Sequence, residues 1–288
     1  ILFFTNLGRV YRTKAYMLPE TARDAKGKHV ANLLAFQPDE QIAGVLALKD
    51  YEQAPYLVLA TKHGLVKKTA LTEYDTNRTG GLIAINLKDG DELVSARLVD
   101  DGGELIMVSA KGMSVRFRAD SLRAMGRATS GVFGMRFRGD DNLLAMDVVR
   151  DGCDLVTVTD EGFAKRTPLS EWSTKGRGGL GVVAMKLVAE RGSLVGALVC
   201  EPDDSIFAIA SNGVVIRTPV ADIRQTGRQT MGVNLMGLGD GVTVVAVARS
   251  AAEDEDEEIV SDDGDSDPDP VADEVAGDHG ESTSDEKE

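Results

Sequence analysis

Five short stretches of this chain combine glycines with basic side chains. Glycine lets the backbone adopt positive φ and approach a partner closely, and an Arg or Lys adds positive charge at that point. Such a loop suits an anionic ligand such as a phosphate group, and five copies are more informative than one. We call these stretches the basic loops; they contain Gly27-Lys28, Asn77-Arg78-Thr79-Gly80-Gly81, Gly126-Arg127 with Gly131, Lys175-Gly176-Arg177-Gly178-Gly179-Leu180-Gly181, and Gly227-Arg228 with Gly232.

A second set of glycines indicates that the basic loops belong to a repeat. These turn glycines are 56, 48, 50 and 51 residues apart, and each follows an apolar run and a short polar turn. The loop cation comes 20 residues after the turn glycine in the first unit but 14 or 15 in the others, so we expect an insertion near residues 18–24. A period near 50 residues with strand-like contents predicts a propeller or a related array. The turn glycines are Gly8, Gly64, Gly112, Gly162 and Gly213.

Each unit of the repeat predicts four short strands. In the second unit, apolar runs at residues 56–61, 65–69, 82–86 and 93–98 are bounded by turns rich in Gly, Asp and Asn. No window shows sustained helical periodicity, so the predicted fold class is all-β. One four-stranded sheet cannot bury both faces alone, so successive sheets must stack around an axis or along a spiral. We expect one β domain at residues 1–250, with blades near residues 1–50, 51–100, 101–150, 151–202 and 203–250.

A second basic position accompanies each loop. The residue four places after every turn glycine is basic, and we call these residues the second-strand cations: Arg12, Lys68, Arg116, Arg166 and Arg217. In stacked sheets they and the loop cations recur on equivalent edges, which places ten positive charges along one rim. Such a row is expected for a phosphate backbone, although charged turn residues can also simply solvate the edges of blades. The candidate DNA-binding residues are Arg12, Lys28, Lys68, Arg78, Arg116, Arg127, Arg166, Lys175, Arg177, Gly178, Gly179, Arg217 and Arg228.

The residue types needed for catalysis or metal binding do not cluster in this sequence. None of the three histidines has a His or Cys partner at metal-ligand spacing, and residues 176–181 lack the Lys-Ser/Thr of a nucleotide-binding loop. Cys153 and Cys200 are interpreted as buried thiols in a reducing cytosol. Trp172 is expected to pack ahead of the fourth loop instead of stacking on a base. No apolar run approaches the length of a membrane span, so we expect no membrane partner. Because the residue types for catalysis and metal binding do not cluster, we also expect no catalytic site, no metal and no cofactor in this chain.

The negative charge of the chain is concentrated at its end. The formal net charge is −15, but residues 253–288 hold 18 acidic residues and one Lys, so the rest of the chain carries about +2. The end also contains Asp, Pro, Gly and Ser with few apolar residues. It cannot bury enough apolar surface to fold, and residues 251–288 are predicted to be a disordered acidic tail.

The period, the basic loops and the acidic tail together resemble the C-terminal domain of the A subunit of bacterial DNA gyrase, over roughly residues 1–250. Residues 31–36, 126–132, 175–182 and 227–233 are similar to the actinobacterial form. The resemblance implies a six-bladed β-pinwheel whose blades exchange strands, with one blade expected before Ile1. It also implies a non-catalytic domain that wraps duplex DNA around its basic perimeter and supports ATP-dependent negative supercoiling.

The same resemblance implies partners and a location. The partners are double-stranded DNA, the rest of the gyrase A subunit, and the gyrase B subunit. The location is the cytoplasm, in association with the nucleoid, with ATP and Mg used elsewhere in the complex. The gyrase box of the family reads Gln-basic-Arg-Gly-Gly-basic-Gly. Here residues 175–181 keep Arg177, Gly178, Gly179 and Gly181 but have Gly176 and Leu180 at the flanking basic places.

Three alternatives remain open at this stage. The C-terminal domain of the topoisomerase IV A subunit resembles this chain but has degenerate boxes, so a complete box upstream would favour gyrase. A propeller that serves as a protein-binding scaffold would show a recurring Trp-Asp or Gly-His signature, which the sequence lacks. A propeller enzyme would need a convergent carboxylate or His cluster, and the carboxylate pairs here are explained by turn chemistry.

The acidic tail gives a first testable prediction. A tethered polyanion reaches an effective concentration on the order of millimolar near the basic rim, so it should compete with DNA. A chain ending at Ser250 should therefore bind duplex DNA more tightly at low salt than the full chain does, as measured by filter binding. Equal affinities would instead assign the tail to solubility alone.

Overall fold

The computed structural model describes residues 1–20, 22, 28–76, 78 and 80–250. The predicted tail at residues 251–288, part of the predicted insertion, and the loop residues Gly27, Asn77 and Thr79 lie outside the described residues.

Two strands joined by a tight turn begin each repeat. The turn glycine allows the hairpin because its φ is positive, for example 80° at Gly64. The first strands are β1 (Leu2–Thr5), β4 (Tyr56–Thr61), β8 (Glu104–Ser109), β12 (Asp154–Thr159) and β16 (Ser205–Ala210). The second strands are β2 (Arg9–Arg12), β5 (Leu65–Ala70), β9 (Met113–Arg118), β13 (Phe163–Pro168) and β17 (Val215–Pro219).

The last strand of each repeat pairs with the first strand on the side opposite to the hairpin partner. These fourth strands pack against one another from blade to blade, so they form the inner edge of the array. They are β3 (Ile42–Leu46), β7 (Leu93–Val99), β11 (Leu143–Val149), β15 (Leu194–Cys200) and β19 (Val244–Ser250).

The remaining strands of the described residues cross to the preceding blade. Each pairs with the second strand of the repeat before its own, so the sheet orders are β3-β1-β2-β6, β7-β4-β5-β10, β11-β8-β9-β14 and β15-β12-β13-β18. The fifth sheet has the order β17-β16-β19 within the described part of the chain. The crossing strands are β6 (Leu82–Ile83), β10 (Val132–Phe133), β14 (Val182–Val183) and β18 (Val233–Asn234).

The crossing strands are shorter than the sequence predicted. We expected a strand over residues 82–86, but pairing stops at Ile83. The next two amides, of Ala84 and Ile85, both donate to the carbonyl of Gly8 at 2.8 and 3.1 Å. Because this carbonyl belongs to a turn of the preceding blade, the chain leaves the ladder there.

Short 3-10 helices connect the strands. Five of them follow a second strand, at Ala15–Met17, Leu71–Tyr74, Ala119–Ser121, Leu169–Glu171 and Val220–Asp222, and two others lie at Val30–Asn32 and Ala189–Arg191. No helix of the described residues is long and apolar enough to cross a membrane. The prediction of an all-β, pinwheel-like array of blades is confirmed.

The hydrophobic core lies between neighbouring blades, because alternate residues of each first strand face opposite neighbours. In β4, Leu57 and Leu59 pack with the first blade, while Val58 and Ala60 pack with the third. Both faces of a middle blade are therefore buried, which explains why its strands read as continuous apolar runs.

Candidate nucleic-acid interface

The basic loops lie on the outer edge of the array. From the second repeat onward, each loop connects a 3-10 helix to a crossing strand, so the loop of one repeat lies over the second strand of the preceding blade. The loop returns through a glycine with φ near 75–81°: Gly81, Gly131, Gly181 and Gly232. A Cβ on Gly131 would be 2.5 Å from the Val66 carbonyl oxygen, and one on Gly181 would be 2.3 Å from that of Ser114. These glycines determine how closely the loop approaches the blade, a role that the sequence analysis missed.

Three loop arginines make the same contact in three consecutive repeats. Nη1 of Arg127 donates to the carbonyl of Ile83 at 3.4 Å, Nη1 of Arg177 to Phe133 at 3.0 Å, and Nη1 of Arg228 to Val183 at 3.2 Å. Each acceptor lies in the crossing strand of the repeat before. The guanidinium groups therefore lie across the gaps between neighbouring outer strands and form a regular row. The sequence analysis placed these residues on one rim, and the structure brings them there.

The other loop cations have less fixed surroundings. Lys28, Arg78 and Lys175 are exposed. The amide of Lys175 donates to the carbonyl of Arg116 at 2.9 Å, so its backbone is attached to the blade while its side chain faces outward into solvent.

Four of the second-strand cations are buried or half-buried in the fold, and Arg217 is exposed. Arg116 pairs with Glu104 and donates through Nη1 to the carbonyls of Leu169 and Trp172 at 2.9 and 3.2 Å. Although burial acts to raise the pKa of Glu104, hydrogen bonds from Thr174 and Arg116 hold that pKa below its usual value. The pair therefore stays ionised at neutral pH and ties the third blade to the fourth repeat.

The same arrangement recurs in other blades. Arg166 pairs with Asp154 at 2.7 Å and reaches the carbonyl of Ile223, while Arg12 reaches Asp75 and the carbonyl of Thr76. The Lys68 ammonium lies 4.5 Å from the centre of the Tyr56 ring, and the Arg217 guanidinium 5.9 Å from that of Phe207. These contacts give the second-strand cations a structural role between or within blades. Their contact with DNA stays a prediction.

Gly178 and Gly179 differ in what they allow. Gly178 has a φ of 77° and its amide donates to the carbonyl of Gly134, so a side chain there would be strained. Gly179 has ordinary φ, and a Cβ would meet nothing closer than an amide nitrogen at 3.8 Å. Gly178 is thus required by the turn, whereas Gly179 is exposed, with its carbonyl accepting from the Arg136 amide at 3.0 Å.

Further cations on the outer edge were missed by the sequence analysis. Arg136 and Lys186 each lie three residues after the end of a crossing strand and are exposed. The guanidinium of Arg136 and the ammonium of Lys88 lie 5.0 and 5.7 Å from the centre of the Phe133 ring. A repeat alignment anchored on the crossing strands would have found this position.

A cavity of about 220 Å³ lies beside the fourth loop. Lys175, Gly176 and Arg228 line it, and its floor is Trp172, whose Nε1 donates to Ser114 Oγ at 2.8 Å. The Trp172 side chain is buried, as the sequence analysis expected, so its ring is not available for stacking on a base. Among the described residues, no group of three His, Cys, Asp or Glu side chains is placed to hold a metal ion.

Two lysines are fully buried beneath the loops. Lys67 donates to the carbonyls of Ala84, Gly126 and Arg127, and Lys165 to those of Gly227 and Arg228. Burial lowers the pKa of Lys67 to about 7, with Glu73 raising it and Arg127 lowering it in part, and burial lowers the pKa of Lys165 to about 8. The sequence analysis singled out neither residue.

These features define a class of protein: an all-β array of propeller blades that exchange their outer strands and present basic loops on the outer edge. The family model for the DNA gyrase C-terminal domain, a β-propeller, matches residues 1–49, 55–100, 103–150, 154–201 and 204–251. The chain belongs to that family.

Individual relatives agree with this assignment. The DNA gyrase A subunit of Mycobacterium leprae (strain TN) is 57% identical over 248 residues, which cover 85% of this chain and 20% of that protein. That of Streptomyces coelicolor is 56% identical over 252 residues, covering 85% of this chain and 29% of that protein. The chain thus spans less than a third of the length of these relatives. The resemblance to the C-terminal domain of the actinobacterial gyrase A subunit is confirmed.

Solved structures show the same fold. The crystal structure of the C-terminal domain of DNA topoisomerase IV has a TM-score of 0.80 at 28% identity, covering 88% of this chain and 79% of that one. A structure of the DNA gyrase A C-terminal domain has a TM-score of 0.75 at 26% identity, covering 86% and 81%.

The buried lysines give a prediction about pH. Below about pH 7, Lys67 is protonated in both the folded and the unfolded chain. Between about pH 7 and its ordinary pKa of 10.5, Lys67 is protonated only in the unfolded chain. The free energy of unfolding of the native chain should therefore rise relative to Lys67→Met by up to about 1.4 kcal/mol per pH unit above pH 7. Urea titrations at pH 6 to 9 measure this difference. Parallel pH profiles for the two proteins would contradict it.

Proposed function

We propose that this chain is a non-catalytic domain of a type II DNA topoisomerase, of the gyrase A kind, that binds and wraps duplex DNA on its outer edge. The observation that carries the proposal is the row formed by Arg127, Arg177 and Arg228, each bonded in the same way to the strand of the preceding repeat. Family membership supports it, since the relatives are DNA gyrase A subunits.

The electrostatics of the outer edge favour a phosphate backbone as the ligand. The second-strand cations Arg12, Arg116 and Arg166 are neutralised by carboxylates of the fold, so they add little to the external field. The loop arginines engage only part of their five donors, in carbonyl contacts and, for Arg228, in an ion pair with Glu171 at 4.0 Å, and they keep others for an anion. An arginine fork suits phosphate oxygens, and neutralising them releases condensed counterions.

Curvature follows from this geometry. Straight DNA would reach only one or two neighbouring blades, so contact with successive loop arginines requires the duplex to bend. Bending 20–30 base pairs by 40–90° costs about 1–6 kcal/mol, which repeated phosphate contacts must offset. Neither a recognition helix nor a base-reading ribbon lies on the described outer edge, so we propose binding without sequence preference.

The wider assembly is part of the proposal. We propose a complex that also contains the rest of the gyrase A subunit and the gyrase B subunit, and the relatives' name, which marks one subunit of DNA gyrase, supports a multi-subunit assembly. Use of ATP and Mg outside this chain and association with the nucleoid are proposed with it. Topoisomerase IV remains the second candidate because its C-terminal domain has a closely similar fold. The curated relatives at 54–57% identity are DNA gyrase A subunits, which favours gyrase. A protein-binding scaffold has no specific observation in its favour.

The first test concerns affinity and salt. If about five cations contact phosphate, the slope of log affinity against log salt should be roughly −4 to −5 for random-sequence duplex. Filter binding of the full chain at several salt concentrations measures the slope. A flat response, or a strong preference for one short sequence, would rule out backbone wrapping.

The second test separates contact from folding at the fourth loop. Arg177→Ala and Gly179→Ala should each reduce wrapping, the former by loss of a phosphate contact and the latter because a Cβ holds the backbone away from the duplex. Wrapping is measured as the linking-number change trapped when nicked plasmid is ligated in the presence of the protein. Both variants should keep the native melting temperature.

Gly178→Ala is the matched control for this test. Because φ is 77° there, it should lose about 1 kcal/mol or more of stability together with any wrapping. Undiminished wrapping by Arg177→Ala, or a parallel loss of stability in Gly179→Ala, would contradict the assignment.

A further inference from the structure

Two of the basic loops share a local design that the others lack. The loops of the third and fifth repeats read Gly-Arg-x-Thr, at residues 126–129 and 227–230. In each, the threonine hydroxyl donates back to the glycine carbonyl, Thr129 to Gly126 at 2.9 Å and Thr230 to Gly227 at 2.8 Å. Each of these loops is therefore stabilised by a hydrogen bond within the loop, in addition to its contacts with the blade.

Beneath each of these loops lies one of the two buried lysines. Nζ of Lys165 donates to the carbonyls of Gly227 and Arg228 at 2.7 Å each, and Lys67 contacts the corresponding carbonyls of Gly126 and Arg127. A buried ammonium without acceptors would be costly, so these carbonyls and the lysine require each other. The loop carbonyls consequently point inward, away from the outer surface.

A carboxylate fixes the same peptide from its other side. Glu73 accepts the amide of Arg127 at 3.2 Å, and Glu171 accepts the amide of Arg228 at 3.0 Å. With the amide and carbonyl of the arginine both bound, its backbone orientation is determined. The side chain then extends to the crossing strand, where Nη1 meets its carbonyl acceptor.

The repeat itself indicates that the blade does not need this lysine in order to fold. The equivalent positions in the other blades are Tyr11, Val115 and Ile216. The loops of the third, fourth and fifth repeats all share an amide contact to the second strand, from Met125 to Lys68, Lys175 to Arg116 and Thr226 to Arg166. The loop over Val115 adds a contact from the Gly178 amide to the carbonyl of Gly134. Lysine thus occurs under the two Gly-Arg-x-Thr loops, and an apolar residue occurs under the glycine-rich one.

We propose that Lys67 and Lys165 are positioning residues for DNA binding, each holding one loop arginine, Arg127 or Arg228, at the outer edge. The role rests on the proposed function for its ligand. Whether each lysine holds its loop can be measured without DNA. Failure of the positioning role can therefore be distinguished from failure of the proposed DNA binding.

Trypsin provides the measurement without DNA, because the carbonyl that Lys67 binds is the scissile carbonyl of Arg127. In the native full chain, Lys67→Met should raise the rate of cleavage after Arg127 about tenfold and leave cleavage after Arg228 unchanged. Lys165→Met should do the reverse. Lys88→Met, which removes an exposed lysine near the outer edge, is the control and should change neither rate. Cleavage is followed by mass spectrometry at a fixed time below the melting transition.

A second substitution keeps this test decisive. Lys67→Val and Lys165→Val reproduce the residue of the third blade and should give the same local pattern while the chain remains folded. Equal rates in the native and variant chains would overturn the proposal. So would unfolding of both the Met and the Val variants, because the lysine would then be a requirement of the fold.

Double variants connect the lysines to DNA. Lys67→Met and Arg127→Ala should each lower duplex affinity about three- to tenfold, and together no more than the stronger of the two, because both remove the same contact. Lys165→Met with Arg228→Ala should behave likewise. The crossed pairs, Lys67→Met with Arg228→Ala and Lys165→Met with Arg127→Ala, should multiply their effects.

The outcomes of the affinity measurements are distinct. Multiplicative effects in the cognate pairs, or arginine variants that weaken binding while lysine variants do not, would overturn the positioning role. Arginine variants that leave affinity unchanged would overturn the proposed function of these loops, and the role in DNA binding with it. The tryptic pattern would still report whether each lysine holds its loop.

Discussion

The carbonyl of the turn glycine is the contact on which the arrangement of the array depends. In four of the five turns it accepts two amides from the next repeat, as Gly64 does from Gly134 and Met135 at 2.9 and 3.2 Å. A Cβ on Gly64 would lie 2.3 Å from the carbonyl oxygen of Met135, so no other residue allows the approach without rearrangement. The exchanged strand is only two residues long, and this pair of bonds fixes where it ends.

Strand exchange also decides where the charges lie. Because each crossing strand joins the preceding blade, the loop before it is carried onto that blade, and its arginine reaches a neighbouring outer strand. The second-strand cations Arg116 and Arg166 instead pair with a carboxylate of their own blade and donate to backbone carbonyls of the next repeat. Arg116 with Glu104 and Arg166 with Asp154 are partly buried pairs whose loss would leave an unmatched charge, so they are fixed parts of the scaffold. Two rows of cations with the same spacing in the sequence therefore have different environments.

Much of this was accessible from the sequence. The period, the all-β class and the strand at residues 56–61 followed from apolar runs and turn glycines, since both are local signals. The partner of a short strand is not local: residues 82–83 pair with the repeat before because of contacts near Gly8 that no pattern in residues 82–86 reveals. Lys67 was hidden for a related reason. It adjoins Lys68 in a run that reads as one basic patch, and only the position of the next repeat's loop shows that both side chains are covered.

The loops held by buried lysines bear on how a domain of low net charge could bend duplex DNA, as proposed. Residues 1–252 carry a net charge of only about +2, so a diffuse positive field cannot supply the bending energy. What remains is a set of few, well-oriented contacts. Immobilising a long side chain on binding costs about 0.5–1.5 kcal/mol, and an arginine already bonded to a backbone carbonyl has lost much of that freedom before the ligand arrives. In the proposed complex with DNA, the interior contacts of Glu73, Lys67 and the crossing strand lower the cost of the phosphate contact made by Arg127.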